Sequence, residues 1–89
     1  MLQEQLKQAE RHVVTGAFRI ARQRELISEL ERRGHRELAA RGGELLVSFN
    51  ELQTLHVANL ARLQRELFEL LQAYSRSTHH GVSLRSSQR

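Results

Sequence analysis

The stretch ERRGHRELAARGGELL, residues 31–46, holds three of the chain's five glycines and divides two long segments of helical periodicity. Gly34 suits the left-handed position just past a helix end, and Arg32 and Arg33 complement the negative end of the dipole before it. Glu29 precedes Arg33 by four residues, the favourable orientation for a surface pair. Gly42-Gly43 costs a helix about 1 kcal/mol per glycine relative to alanine. Two corners are therefore open. One is a tight turn at Gly34-His35 followed by a weak kink; the other is a single irregular corner over residues 34–43. In either case RELAAR is able to add a turn or two to the second helix, and the two segments return antiparallel.

Upstream of the corner, Leu2, Leu6, Ala9, Val13, Gly16, Ile20, Ile27 and Leu30 occupy the a and d positions of a heptad, with Gln23 the polar interruption. Val14, Ala17, Phe18 and Ala21 widen that stripe. A helix over about residues 3–33 follows. Downstream, Leu45, Phe49, Leu52, His56, Leu60, Leu63, Leu67, Leu70 and Tyr74 recur at steps of three and four. Leu46, Val57, Phe68 and Leu71 form a second, partial stripe. The second helix is expected over about residues 44–75. The final SRSTHHGVSLRSSQR has five serines and no sustained period, so residues 76–89 are expected to form a disordered basic tail.

Composition agrees with an all-α chain. Proline is absent, Leu, Ala, Glu, Gln and Arg dominate, and no period-2 alternation suggests a strand. Eighty-nine residues allow one small domain, near the size at which a single core barely suffices. There is no cysteine and hence no disulfide framework. The opening MLQEQLKQAE is polar, unlike a signal peptide, and no apolar run approaches a membrane span. A soluble, cytoplasmic protein with no membrane contact is expected.

A helical pair buries only one face of each member. The apolar shoulders therefore call for a second partner, and a homodimeric four-helix bundle supplies one with no new sequence. The seam is expected to run through Val13, Ile20, Ile27, Phe49, Leu52, Leu60, Leu63 and Leu67.

Chemistry beyond packing is sparse. The chain has no Cys or Asp, no glycine-rich phosphate loop and no nucleophile elbow, so it is read as a non-enzyme without cofactor. Its five histidines include no i, i+4 pair and no Glu-x-x-His, so no metal site is expected. His56, alone on an apolar stripe, reads as a core histidine. Part of the corner fits a helix-turn-helix template at Leu38, Ala39, Gly43, Phe49 and Leu52. The groove-facing positions would then be Leu45, Leu46, Val47, Asn50 and Glu51, the wrong chemistry for bases and phosphates.

The net charge of +4 is unevenly placed: residues 1–43 carry +3, residues 44–74 carry −2 and the remainder +3. RHVVTGAFRIARQREL, residues 11–26, raises the question of nucleic acid. Val13, Phe18 and Ile20 need burial, which excludes a basic helix lying in a groove. Phosphate binding without base reading stays open through Arg11, Arg19, Arg22, Arg76 and Arg85, although interspersed glutamates dilute the patch. Short RNA-binding hairpins of the Rop type are similar in architecture only.

GAFRIARQRELISELERRGH and ELLVSFNELQTLHVANLARL together resemble a family of short, uncharacterised bacterial helical proteins. The residues that carry the resemblance are Ile20, Arg22, Gln23, Arg24, Gly34, His35, Leu45, Leu46, Phe49, Gln53, Leu55 and His56, within about residues 11–67. The corner departs from that family's pattern, with Arg36-Glu37 and Gly42-Gly43 where it has a capping Asp or Thr and a shorter path. The resemblance implies a helical hairpin and no particular activity. Placing the turn at 34–43 would bring Gln23, Arg24 and His56 to one level as a polar layer that fixes register. The functional expectation is an interaction or regulatory module acting through self-association and a protein partner. The alternative is a sequence-nonspecific RNA- or DNA-binding bundle.

Overall fold

A computed structural model describes the backbone of residues 1–87 and the side chains of residues 1–77. Two helices account for the fold: α1, Leu2–Arg32, and α2, Arg36–Ser87. They pack against each other as an antiparallel all-α hairpin, and there is no strand among the described residues.

The turn is the tight one. Gly34 has φ +81°, the left-handed conformation that glycine adopts without a Cβ penalty. Its N–H donates to the Glu31 carbonyl (3.1 Å) and the His35 N–H to the Leu30 carbonyl (2.9 Å), the paired bonds of a Schellman motif. The Glu29–Arg33 pair closes at 2.9 Å on the surface of the last turn. From Arg36 the chain is already helical, so residues 34–43 do not form an extended corner. Gly42 and Gly43 stay within α2, because opposing side chains and continuous backbone bonding outweigh their low propensity.

The far end also differs from expectation. α2 does not stop near residue 75 but continues through Ser87. With no proline and a single glycine in residues 76–87, nothing covalent interrupts it. The side chains of the expected tail beyond Ser77 lie outside the described residues.

The face of α1 toward α2 is the one read from the heptad. Ala9, Ile20 and Gln23 are buried, and Leu2, Leu6, Val13, Gly16, Ile27 and Leu30 are half-buried. On α2 the contact row is Ala39, Gly42, Leu46, Phe49, Gln53, His56, Leu60, Leu63 and Leu67, of which Ala39 and Leu63 are buried. Its steps alternate between three and four, as a coiled-coil seam requires. Two members of the expected stripe are displaced from it: Leu45 and Leu52 remain 47% and 44% exposed. Leu52 is therefore not part of the contact between α1 and α2 within one hairpin. Gly42, Leu46 and Gln53 take the places that a purely apolar reading assigned to Leu45 and Leu52.

Gly16 lies against Gln53 and Gly42 against Ile27. The same antiparallel register sets Ile20 opposite Phe49 and Leu2 opposite Leu67. Beyond Leu67, α2 overhangs the start of α1, and Phe68, Leu70, Leu71 and Tyr74 are 58–73% exposed. The result is a rod of 82 × 18 × 14 Å. No helix of the described residues is long and apolar enough to cross a membrane.

Candidate functional site

Two glutamines cross the seam in opposite directions. Gln23 of α1 donates from Nε2 to the Gly42 carbonyl of α2 (3.0 Å). Gln53 of α2 donates from Nε2 to the Val13 carbonyl of α1 (2.8 Å). Each sits at a glycine of the opposing helix. A Cβ at Gly16 would collide with Gln53 Oε1 and Cδ, and one at Gly42 would come within 3.0 Å of Ile27 and 3.3 Å of Gln23 Nε2. Small residues at these points let each amide reach a main-chain acceptor on the other helix. The acceptors already serve their own helices, so each glutamine adds a second bond to one carbonyl, which has two lone pairs. Gln53 Oε1 is buried and accepts no hydrogen bond.

Beside Gln53, His12 of α1 and His56 of α2 meet across the seam with ring centroids 5.0 Å apart and planes inclined by 49°. His12 is exposed and His56 half-buried. A cleft of about 280 Å³ opens next to them, with His12, Thr15, Arg19, Gln53 and His56 as its polar walls and Gly16, Phe49 and Leu52 as the rest. The described residues contain no cluster of three or more His, Cys, Asp or Glu side chains that could hold a metal ion.

The expected polar layer is thus split. Gln23 is buried, but Arg24 is exposed and His56 lies more than two turns of α1 away, beside His12. The cause is the turn. Closing the hairpin at residues 33–35 instead of midway through 34–43 slides α2 along α1, so Gln23 meets Gly42 and His56 meets the level of Val13. Gln53 and His12 were missed. A signal for Gln53 exists in the spacing: Leu46, Gln53, Leu60 and Leu67 lie seven apart, so Gln53 interrupts an a row of its seam as Gln23 interrupts the d row of the other. For His12 the sequence has no comparable signal, because its importance comes from the partner helix.

The arginines do not converge. Arg22 pairs with Glu25 at 3.6 Å on open surface, Arg19 borders the histidine cleft, and Arg11 neighbours Glu4 and Lys7. Arg76 is exposed on the overhang, and the side chain of Arg85 lies outside the described residues. Leucines do converge. Leu52 borders the cleft together with His12 and Arg19, which puts it on the flank where Leu26, one heptad after Arg19, also lies. Leu38 and Leu45, one and two heptads before Leu52, extend that flank. Leu26, Leu38, Leu45 and Leu52 are 44–52% exposed, and Leu55 beside them is 66% exposed.

No protein-family model matches the chain, and comparison with curated proteins and with solved structures likewise finds no match.

Proposed function

We propose that this chain is a non-enzymatic helical module that works by self-association, two hairpins joining side by side into a four-helix bundle that then engages a protein partner. The observation that carries this reading is the lack of a closed core. Among the described residues no large side chain is fully buried, and 7603 Å² of surface is accessible. A compact monomer of 10.3 kDa would expose about 5,400 Å². The excess is about 2,200 Å² per chain, hence about 4,400 Å² for a pair, within the about 2,000–5,000 Å² in total that the larger obligate homodimers conceal.

The leucine flank is an apolar surface in need of cover, and a second copy offers the same leucines in return, as a two-fold interface demands. The overhang strengthens the argument. Leu70 and Tyr74 continue the seam spacing of α2 beyond Leu67 and are 59% and 73% exposed. Residues 11–67 keep their resemblance to helical-hairpin proteins under this reading, and it adds no chemistry to it.

Light scattering after size exclusion, at low and at high salt with absorbance followed at 260 nm, tests the proposal. The expected result is a nucleic-acid-free species of twice the 10.3 kDa chain mass at both salts. A folded monomer at both salts overturns it. Material absorbing at 260 nm that departs at high salt would favour phosphate binding, whose affinity falls steeply with salt.

A further inference from the structure

We propose that His12 and His56 form a cross-helix chelate for a divalent transition metal such as Zn²⁺. Both ligands come from one hairpin, so the inference stands apart from the self-association reading.

Geometry is the first support. A zinc ion lies about 2.0–2.1 Å from an imidazole nitrogen, so about 3.2 Å from the ring centre, and two such rings at a tetrahedral angle have centroids about 5.2 Å apart. The observed separation is 5.0 Å, with the rings tilted rather than stacked face to face. The helices therefore hold the two ring centres at a spacing compatible with a shared ion, which each ring meets once a nitrogen turns toward it. Seam packing on both sides of His56, at Gln53 and Leu60, fixes that side of the pair, and His12 meets it from the exposed edge of α1.

Gln53 is the second support. Metal-bound histidines orient themselves by donating their other ring N–H to a carbonyl or carboxylate. Gln53 borders the same cleft, and its Oε1 is a buried acceptor with no donor. It is the positioning residue of the site. Accepting an imidazole N–H would satisfy an oxygen that the hairpin alone leaves bare. Two protein nitrogens leave the rest of a tetrahedral shell to water, and the cleft has room for it. Two arginines flank the pair: Arg19 of α1 borders the cleft, and Arg62 of α2, on the other side of His12, is paired with Glu66 at 2.7 Å. Their charge weakens the site without closing it.

The test is calorimetric titration of Zn²⁺ into the full chain carrying His79→Ala and His80→Ala, which removes the adjacent pair in the tail as a competing chelator. One zinc per chain is expected. His12→Asn and His56→Asn should each lower affinity at least tenfold. Gln53→Met should lower it by about 10–100-fold, the usual effect of losing an outer-shell partner. Helicity and melting in chelator confirm that each variant is folded, and because His12 is exposed, at least that variant keeps its structure. Ligands must be deprotonated, so binding should release protons and weaken as pH falls.

Equal zinc affinity in the parent and both asparagine variants would overturn the proposal. So would half a zinc per chain, which would place ligands on a second copy. Inorganic phosphate binding in the cleft that strengthens as pH falls, with no zinc binding, would make the site an anion site of Arg19 and the histidines and overturn it equally.

Discussion

At the scale of single residues, Gly16 and Gly43 behave differently because of what lies opposite them. Both gain helix propensity on conversion to alanine, roughly 1 kcal/mol each. Gly43 has nothing within 4 Å of a Cβ, so Gly43→Ala should be more stable than the parent by nearly that amount. Gly16 has Gln53 folded against it, and Gly16→Ala must expel that side chain from its notch and break its bond to Val13. Since the propensity gain is common to both, Gly16→Ala should be less stable than Gly43→Ala by about 1–3 kcal/mol, the cost of overpacking. Urea midpoints of the two variants decide it; equal midpoints would mean that Gln53 leaves without consequence. The glutamine itself contributes specificity more than stability. Gln53→Met keeps the volume and removes an unsatisfied oxygen, so its stability should fall within about 1.5 kcal/mol of the parent.

At the scale of elements, the hairpin depends on how α1 ends. The Schellman bonds of Gly34 and His35 satisfy the carbonyls of Glu31 and Leu30, and only the left-handed conformation at Gly34 allows both. Open space surrounds a Cβ there, so the cost of Gly34→Ala is purely conformational, about 1–2 kcal/mol. Gly34→Asn should recover part of it, because asparagine tolerates that region. Thermal melts of the two variants would show the order Gly > Asn > Ala, and any other order would mean that the turn relaxes elsewhere. The ion pairs on the helix surfaces, Arg33–Glu29 and Arg62–Glu66, are well formed at 2.9 and 2.7 Å. Both are largely solvated, and each is worth only a few tenths of a kcal/mol, about 0.3–0.5. Packing along the seam outweighs them.

At the scale of the whole molecule, the open leucine flank and the overhang predict behaviour that depends on concentration. If two hairpins share their exposed faces, a hundredfold rise in chain concentration adds on the order of 2.7 kcal/mol of apparent stability per dimer. The melting temperature should climb accordingly across a dilution series. Leu45→Glu with Leu52→Glu puts charge on the flank without entering the seam, where both leucines are already 44–47% exposed. That double variant should remain helical, scatter light as a monomer and lose the concentration dependence. A double variant that stays dimeric would place the contact on another face, such as the one bearing Val14 and Phe18.

Local spacing alone accounts for the fold class and the contact face of α1. A heptad is a local property, and each of Leu2, Leu6, Ala9, Val13, Ile20, Ile27 and Leu30 lies where its spacing put it. Gly34 likewise announced the end of α1, since a left-handed residue is a local need. What only the tertiary structure decided is how α2 is rotated and slid against α1. Its apolar residues outnumber the places in one seam, so two neighbouring stripes compete: one through Leu45 and Leu52, the other through Gly42, Leu46 and Gln53. Counting hydrophobic residues favours the first. The second wins because the tight turn sets the register and the notches at Gly16 and Gly42 admit Gln53 and Gln23 to main-chain carbonyls. The meeting of His12 with His56 follows from that choice. Residues separated by forty-four positions become neighbours only once rotation and register are set, and those are properties of the pair of helices.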